Sequence, residues 1–496
     1  MKRHFVIFLL IAVMSVTAIA QKTGHYPHAV ETRIKKVENN LGGWVKIEDS
    51  TGWNILDRMA YYRINGLSVA VINNYKIEWV KSYGWADTAQ KIPVSPVTMF
   101  QVASIGKSIN AVGMMKLVQD GKLDLNRDIN NYLKRWKFPY DTTSRGRKIS
   151  TLELLSHTAG LSVHGFDGYK WGQSIPTLIQ VLNGAPPANS APVRSIFEPG
   201  KRFEYSGGGY EITELMTEDI TGMPYTRYIS NTIFKPLRMT HTVYDADITN
   251  PSRENLSSAY RFDGKAIGCK YHHYPENACG AGLWSTPADF ARFVTELQLS
   301  LKNESNKILS ARMIRQLFTP NIGKDNAAGF FIEQKGGQTW FHHDGLNEGF
   351  TSGYYASVTG GKGIVIMTNS DYASYIDIRQ EIINSVATVY GWKGVYTPVI
   401  KKEIIVPDST LKKYCGKYKF RDDLDQNVTI FLKDGKLWFH DSSSPVAWLM
   451  HFTSKTDFFF HEVLFNTHSF TKNTNGKVDG FMIKASDGSF KVKKVE

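Results

Sequence analysis

The sequence FQVASIGK, residues 100–107, places Ser104 three positions before Lys107 at the start of a segment with helical periodicity. Apolar residues recur at helical spacing after it, and Gly121 supplies a C-terminal stop. Residues three apart lie on one face of a helix, about one turn from each other. The pattern therefore predicts a helix that begins near Ser104 and carries a nucleophile beside a basic group.

A serine hydroxyl attacks well only when a neighbouring group removes its proton. Lys107 can do so as a free amine if burial and positive charge lower its pKa, and the N–H groups at a helix start favour the negative charge that develops. The tetrad alone is a weak signal, because an isolated match is typically a capping serine with a solvated lysine. It recurs at Ser409 and Ser469, where no long apolar-periodic segment follows.

A second stretch, residues 199–210, carries Tyr205 just before three consecutive glycines and a helical segment. Glycines allow tight turns and close backbone approach, so we expect Tyr205 at a loop tip rather than in a core. A phenolate beside a lysine ammonium is a credible general base, since the cation lowers the pKa of the tyrosine. Tyr205 is therefore the alternative to Lys107 as the base.

Strand patterns flank these motifs on both sides. Residues 67–72 and 76–80 are β-rich runs joined through 73–74, which predicts a hairpin. Residues 340–350 and the runs that follow at 353–369 alternate or are apolar between glycine turns, which predicts adjacent antiparallel strands. A strand edge beside a serine can offer a backbone N–H to a developing oxyanion.

Two further helices are predicted. Residues 149–161 are typical of a short helix that ends at Gly160, with His157 as a scaffold residue hydrogen-bonded to backbone. Residues 278–290 form a glycine-rich loop into a helix with Thr286 as its N-cap, which we interpret as structural.

The composition is that of a globular protein of two or three domains: 496 residues, 42% hydrophobic and 21% charged. The net charge of +13 comes from lysines and arginines that are scattered without a dense cluster. We therefore expect no nucleic-acid partner.

Residues 1–20 have the pattern of a signal peptide, with Lys2 and Arg3 before a short apolar stretch and a small-residue cleavage site that ends at Ala20. The apolar stretch is short for a membrane span. The sequence predicts export, to the periplasm or the medium, without a stable membrane anchor.

The sequence does not decide whether any of its three cysteines form a disulfide. Cys269 and Cys279 can close a small loop as a disulfide or remain unpaired thiols, and Cys415 is left over. The adjacent histidine pairs at 272–273 and 342–343 cannot both easily face one ion, and no zinc-type spacing occurs. We expect neither a metal nor a cofactor.

The chain divides by pattern into a main domain, residues 21–395, a linker, 396–410, and a small all-β domain, 411–496. In the last part, strand-like runs alternate with turns at 434–435, 475–476 and 487–488, which indicates a meander or barrel.

The motifs Ser104-x-x-Lys107, Tyr205-Ser206-Gly207 and His343-Asp344-Gly345, in this order, resemble those of the serine β-lactamase and penicillin-binding-protein superfamily. The resemblance runs from about Gly66 to Tyr390 and is greatest to the class C-like branch, which includes D-aminopeptidases, DD-peptidases and esterases. The C-terminal part is similar to the small lipocalin-like β-domains often appended to such hydrolases, where an appended domain can shape the active-site entrance.

This resemblance implies an α+β fold, in which an antiparallel sheet is flanked by helices on both faces and a helical subdomain is inserted between the early and late strands. It also implies that Ser104 is the acylated nucleophile, that Lys107 assists its deprotonation and that Tyr205 is base and then acid. His343 would line the opposite wall, and the N–H groups of Ser104 and Leu346 would form the oxyanion hole. Substrate-binding positions are implied at Gly207, Gly345 and Asn347.

Two positions depart from the pattern of the antibiotic-hydrolysing members. Gly207 stands where they have the asparagine of Tyr-x-Asn, whose amide helps to fix the lysine and hold a substrate carbonyl. His343 stands where they have a lysine, which predicts a weaker, pH-dependent charge for a substrate carboxylate and a KM that rises as pH climbs through the pKa of His343. Both departures disfavour efficient β-lactam hydrolysis.

The sequence thus predicts an exported serine hydrolase that forms an acyl-enzyme on an amide or ester, with D-amino-acid peptides or cell-wall fragments as the first substrate class. A carboxylesterase, a weak β-lactamase and an inactive protein that holds a small molecule or peptide in the same cleft remain alternatives. An α/β-hydrolase is disfavoured because no Gly-x-Ser-x-Gly motif occurs. The oligomeric state stays open.

Overall fold

The computed structural model describes residues 26–245, 248, 255–371, 378–420, 427–442, 444, 446–462, 467–485 and 488–495. The predicted signal peptide and Asp487 of one predicted turn lie outside these residues. Within them, no helix combines the length and apolarity needed to span a membrane. No cluster of histidine, cysteine and acidic side chains in the described part of the chain is suited to hold a metal ion.

The helices of the described chain are α1 (His28–Glu38), α2 (Ile55–Tyr61), α3 (Gly106–Gln119), α4 (Thr151–Leu155), α5 (Leu178–Asn183), α6 (Gly207–Thr221), α7 (Tyr225–Ile229), α8 (Lys235–Leu237), α9 (Pro287–Leu301), α10 (Ala311–Leu317), α11 (Ile378–Val389) and α12 (Asp408–Tyr414). Short 3₁₀ turns span Ala103–Ile105, Ile129–Asn131 and Thr142–Ser144, and a π-helical turn spans Ser230–Phe234.

The strands are β1 (Val45–Ile47), β2 (Gly66–Asn73), β3 (Lys76–Asp87), β4 (Ile92–Pro93), β5 (Phe100–Gln101), β6 (Val243–Tyr244), β7 (Leu283–Ser285), β8 (Asn326–Ala327), β9 (Phe330–Lys335), β10 (Gln338–Asn347), β11 (Phe350–Ser357), β12 (Gly363–Thr368), β13 (Val399–Lys401), β14 (Gly416–Lys419), β15 (Asn427–Lys433), β16 (Lys436–Asp441), β17 (Trp448–Leu449), β18 (His451–Phe452), β19 (Asp457–Phe459), β20 (Thr467–Lys472), β21 (Val478–Ala485) and β22 (Gly488–Lys494).

An eight-stranded antiparallel sheet forms the centre of the larger unit, in the order β4-β3-β2-β12-β11-β10-β9-β8. Early strands therefore pair with late ones, and α3 to α10 lie between them in sequence. The α+β fold, with helices inserted between early and late strands, is confirmed. The predicted hairpin is also confirmed, although Asn73 pairs with Lys76, so the turn lies at residues 74–75.

Alternation along β2 sends side chains into two separate cores. Ala70 and Ile72 face the core with α3, α6, α9 and α10, whereas Val69 and Val71 face the core with α1, α2 and α11. Both cores consist of side chains that are almost entirely inaccessible to water. The sheet is thus covered by helices on both faces, and Ser104 lies on the side of the first core.

The C-terminal strands form a nine-stranded, nearly closed antiparallel barrel in the order β17-β16-β15-β14-β22-β21-β20-β19-β18. Its aromatic-rich interior is a core of its own. The barrel contacts the larger unit through His461, whose carbonyl accepts from the N–H of Val45 at 2.9 Å, and through Ala447, whose carbonyl accepts from the hydroxyl of Tyr61 at 3.1 Å. These contacts lie beside α1 and α2, on the face of the sheet opposite to Ser104.

Some predicted boundaries are wrong. The helix predicted to end at Gly160 ends at Leu155, because the chain turns at His157, whose φ is +57°. The strand-like start predicted at Leu411 is also wrong, because Leu411 lies in α12. The division into domains stays a prediction, and its linker, residues 396–410, contains β13, which pairs in parallel with β1.

All three cysteines are unpaired, so Cys269 and Cys279 do not form the disulfide that the sequence left open. Thr286 is the N-cap of α9, as predicted, and its side chain accepts from the N–H of Asp289.

Candidate active site

Ser104 lies in the 3₁₀ turn that leads into α3 and is partly exposed. Its neighbour Ala103 has a φ of +50°, a left-handed conformation that non-glycine residues adopt rarely and mostly where a site requires it. Strand β10 passes close to this turn, because a Cβ on Gly345 would lie 2.3 Å from the carbonyl oxygen of Val102 and 3.1 Å from the backbone nitrogen of Ser104. The serine is thus presented between a helix start and a strand.

Lys107 is buried one turn later, and its ammonium is held by two oxygens. Nζ donates to Oγ of Ser104 at 3.1 Å and to the carbonyl oxygen of Cys279 at 3.0 Å. The loop with Cys279 fits against the nucleophile turn through Gly280, where a Cβ would lie 2.2 Å from the carbonyl oxygen of Ala103. The sequence interpretation treated this loop as structural only, and its contact with Lys107 was missed because no side-chain motif signals a backbone acceptor.

Burial alone lowers the pKa of Lys107, but the neighbouring Tyr205 and Cys279 outweigh it, and the pKa lies above its ordinary value. Lys107 is therefore an ammonium at neutral pH, which disfavours the alternative in which it acts as a free amine base. The same ammonium lies 5.0 Å from the ring centroid of Tyr205. This geometry favours Tyr205 as the group that accepts the serine proton.

Tyr205 lies before α6 and is partly exposed, as predicted for a loop tip. Its ring stacks on that of His157, with centroids 4.1 Å apart and planes at 28°. Its carbonyl oxygen accepts a hydrogen bond from Nδ1 of His164 at 2.5 Å. The ring and the backbone of Tyr205 are thus both held by histidines, neither of which was assigned to the site from sequence.

His157 is buried, and its Nδ1 accepts from the N–H of Ser206 at 3.1 Å, which confirms the predicted backbone contact. Because Nδ1 accepts, Nε2 carries the proton of the neutral ring. Burial and then the charge of Lys107 hold the pKa of His157 well below its usual value. His157 is therefore an uncharged ring that supports Tyr205.

His343 lies on β10, and its Nδ1 lies 2.7 Å from the carbonyl oxygen of Asp344. A carbonyl only accepts, so Nδ1 carries the proton and Nε2 is an acceptor in the neutral ring. Burial, and then the charge of Lys107, lowers the pKa of His343 to about 3. The predicted pH-dependent positive charge at His343 is wrong for neutral pH, since the buried ring beside an ammonium stays neutral.

The other predicted positions lie around the same cleft. Leu346 follows Gly345 on β10 and is 54% exposed, and the role of its N–H in an oxyanion hole stays a prediction. Asn347 donates from Nδ2 to Oε1 of Gln101 at 3.0 Å and to the carbonyl of Ala281 at 2.8 Å. It therefore connects β10 with β5, the strand before Ser104, and with the loop that contains Cys279. A direct substrate contact of Asn347 stays a prediction.

Gly207 is the first residue of α6 and is buried. Its N–H donates to the carbonyl of His164 at 3.2 Å. A Cβ at this position would lie 3.0 Å from Cε2 of Phe166. The sequence shows that the amide of Tyr-x-Asn is missing at position 207. It does not show that the ring of Phe166 lies next to this position.

A buried group of carboxyls lies behind the Cys279 loop. Burial raises the pKa of Glu214 to about 7 and that of Glu276 to about 8, and it raises the pKa of Glu211 well above the usual range. Glu214 accepts from the N–H of Ala278 at 2.9 Å and so anchors the loop that holds Lys107. These acids carried no motif in the sequence.

A serine oxygen, a lysine ammonium and a tyrosine ring thus meet at the start of α3. The arrangement suits nucleophilic attack by Ser104 on a carbonyl, with a nearby acid–base group and a cation that stabilises developing negative charge.

Two family models match parts of the chain. The family model described as Beta-lactamase matches residues 54–387, and a Domain of unknown function (DUF3471) matches residues 401–496. Protein flp of Staphylococcus aureus (strain N315) is 27% identical over 337 residues, which are 65% of this chain and 63% of that protein. The match thus spans less than two thirds of the length of this relative.

Two solved structures share the fold. The octameric penicillin-binding protein homologue from Pyrococcus abyssi superposes with a TM-score of 0.60 at 18% identity, over 88% of this chain and 98% of its own. The D-amino acid amidase from Ochrobactrum anthropi SV3 complexed with D-phenylalanine gives a TM-score of 0.57 at 21% identity, over 73% of this chain and 99% of its own. At these identities the likeness concerns the fold alone.

Proposed function

The chain belongs to the beta-lactamase family, and we propose that it is a serine hydrolase that cleaves amide or ester bonds through an acyl-enzyme on Ser104. The observation that carries this proposal is the 3.1 Å contact between Nζ of Lys107 and Oγ of Ser104, with the ring of Tyr205 beside the same ammonium. A protein that only binds a ligand has little use for this combination.

In the proposed reaction, Tyr205 takes the proton of the Ser104 hydroxyl while Oγ attacks the substrate carbonyl. The oxyanion accepts hydrogen bonds from the N–H groups of Ser104 and Leu346, and the Lys107 ammonium lies 5.0 Å from the ring centroid of Tyr205 during the proton transfer. Tyr205 then returns the proton to the leaving amine or alcohol, which leaves an ester on Ser104. A water molecule, deprotonated in the same way, releases the carboxylic acid and restores the serine.

For the substrate, we propose D-amino-acid peptides or cell-wall fragments as the first class, supported by the shared fold with a D-amino acid amidase. Carboxylester hydrolysis is the second candidate, and a specific observation favours it. His343 is neutral at physiological pH, so this wall offers no cation to a free substrate carboxylate. β-Lactam hydrolysis is disfavoured for the same reason and by Gly207.

We also propose that the chain acts after export and on small molecules or peptides. Export rests on the sequence pattern of residues 1–20. A cell-wall substrate would require this location.

The proposal is tested by intact-protein mass spectrometry after incubation with a fluorophosphonate, a penicillin and a D-Ala-D-Ala peptide. Ser104→Ala is compared with Ser409→Ala, which alters an exposed serine in the same Ser-x-x-Lys spacing at the start of α12. We expect the fluorophosphonate to label the unaltered protein and Ser409→Ala, but not Ser104→Ala. Equal labelling of both variants, or of neither, would contradict the assignment.

A further inference from the structure

A cavity of about 570 Å³ lies where the barrel meets the larger unit, on the face of the sheet opposite to Ser104. Its walls come from residues 40–53, which connect α1 with α2, from residues 387–400, which run from the end of α11 into β13, and from His461 of the barrel. Sites for small molecules have volumes of about 300–1,000 Å³ and are frequent between domains. The residues proposed for the reaction at Ser104 do not line this cavity.

Close contacts and hydrogen bonds fix the walls of the cavity. The hydroxyl of Tyr396 donates to the carbonyl of Gly43 at 2.7 Å, and a Cβ on Gly43 would lie 2.3 Å from the carbonyl oxygen of His461. Leu41 and Trp53 exchange two backbone hydrogen bonds, at 3.0 and 2.8 Å. The three parts of the wall are therefore held against each other, and the cavity is a built feature of the contact between the barrel and the larger unit.

Aromatic side chains line the cavity, namely Trp53, Trp392 and Tyr396. Trp392 is only 3% exposed and packs on Trp340 of β10, with ring centroids 5.2 Å apart. The indole N–H of Trp340 donates to the carbonyl of Lys335 at 3.2 Å. That of Trp392 has no acceptor in the described part of the chain and is not sealed from solvent. Since indole N–H groups of buried tryptophans generally have an acceptor, this donor is open to a ligand in the cavity.

The charge of the lining is positive. Among the described residues that line the cavity, two carry a full charge, and both are lysines, Lys46 and Lys393. Neither ammonium has a hydrogen-bond or ion-pair partner within the described ranges of the chain. Burial, and then the nearby His451, lowers the pKa of His461, so this ring stays neutral at pH 7. The cavity thus offers donors and positive charge, which complement an ionised carboxylate because that group only accepts.

We propose that this cavity is a second binding site, and that its ligand is an aromatic carboxylate. The planar apolar group packs among the rings of Trp53, Trp392 and Tyr396, and the carboxylate accepts from the lysines and the indole N–H. The site is separate from Ser104, so the inference goes beyond the proposed function and does not depend on it. Because both the barrel and the larger unit form the walls, a bound ligand stabilises their contact and raises the Tm.

The test uses 4-benzoylbenzoate and its neutral amide, 4-benzoylbenzamide. We expect calorimetry to show that the acid binds about 10-fold or more tightly than the amide. The double variant Lys46→Gln with Lys393→Gln should bring this ratio close to one, whereas Lys122→Gln, at an exposed position after α3, should leave it unchanged. Equal affinities in the unaltered protein, a ratio that the double variant does not change, or no binding of either compound would overturn the proposal.

Photolabelling locates the bound acid independently, since irradiated benzophenones cross-link to the residues beside them. We expect peptide mass spectrometry to find the adduct within residues 40–53 or 387–400. An adduct confined to segments around Ser104 would place the ligand in the candidate active site and overturn the proposal. Both measurements work without turnover, so a failure of the hydrolase proposal leaves this inference standing, and the reverse also holds.

Discussion

Two buried cations, Arg58 and Lys107, lie on opposite faces of the same sheet and have opposite surroundings. Arg58 on α2 donates from Nε to Glu381 at 2.7 Å and from Nη2 to the hydroxyl of Tyr62 at 2.8 Å, and Glu462 of the barrel lies 3.4 Å away. Both described hydrogen bonds of Lys107 go to neutral oxygens. The carboxylate of Glu381 balances the positive charge of Arg58. The two hydrogen bonds of Lys107 leave its positive charge able to stabilise negative charge that develops during a reaction.

A buried cation can therefore have either of two roles in this protein. A buried ion pair that closes on itself connects elements, here α2, α11 and the barrel, and its loss affects folding. A buried cation beside a partly exposed serine stabilises charge that appears only during a reaction. The predictions below separate these two uses.

The largest effect is expected at the nucleophile. Ser104→Ala should lower kcat/KM by about 10⁴- to 10⁶-fold, because it removes the oxygen on which the proposed acyl-enzyme forms. The free energy of unfolding should fall by no more than about 1–3 kcal/mol, because the hydroxyl of Ser104 is one of two described hydrogen-bond acceptors of the buried Lys107 ammonium. Steady-state kinetics and urea unfolding measure both. Turnover close to that of the unaltered protein would remove Ser104 from the mechanism.

On the other face, Arg58→Met should reduce the free energy of unfolding by about 3–5 kcal/mol, because it leaves the carboxylate of Glu381 buried without its partner. Arg127→Met is the control: Arg127 lies 3.5 Å from Asp124 at an exposed position, and its loss should cost about 0–1 kcal/mol. Urea unfolding of both variants provides the measurement. Equal destabilisation by the two substitutions would mean that the buried pair has no special role.

The fold and the main motifs could be predicted because they rest on local patterns. Period-two runs predict the strands, Ser104 and Tyr205 lie in turns just before helices, and Lys107 lies at the start of α3. The carbonyl of Cys279, the ring of Phe166 and the stacking of His157 could not be predicted, since they depend on which distant segments meet. The pKa of His343 was misjudged for the same reason: burial beside Lys107 is a tertiary property.

Acid should lower the free energy of unfolding through His343, which lies near Lys107. Its pKa, lowered by burial to about 3, lies below the value near 6.5 of an unfolded histidine, so the unfolded chain binds more protons between these values. Stability is therefore lost as pH falls from about 6.5 towards 3, by at most about 1.4 kcal/mol per pH unit for this group.

Urea unfolding of His343→Phe between pH 6 and 4 should show a correspondingly shallower dependence on pH than the unaltered protein. His28→Gln, at an exposed position, is the control and should follow the unaltered curve. An unchanged slope in His343→Phe would show that His343 is protonated in the folded state.

His157 should position Tyr205 in two ways. Its ring stacks on the phenol ring, and its Nδ1 accepts from the N–H of Ser206, the next residue. His157→Phe keeps the stacking surface but leaves the N–H of Ser206 without an acceptor, whereas His157→Asn keeps an acceptor and loses the stack. Each should lower kcat by about 10-fold through misplacement of the base, with little change in KM. Because the stack fixes the phenol beside Lys107, His157→Asn should also shift the pH profile of kcat. A loss of stability without either kinetic change would make His157 purely structural.

The smallest effect is expected in KM, and it concerns the charge that the sequence predicted at His343. Since the pKa of His343 is about 3, the ring is neutral from pH 5 to 8 and cannot release a substrate carboxylate as pH rises. KM for a carboxylated ester should therefore follow that of a matched neutral ester across this range, with a constant ratio. A ratio that rises about 10-fold through pH 6 to 7 would restore the cationic histidine of the sequence prediction, and it would remove the uncharged wall on which ester specificity rests.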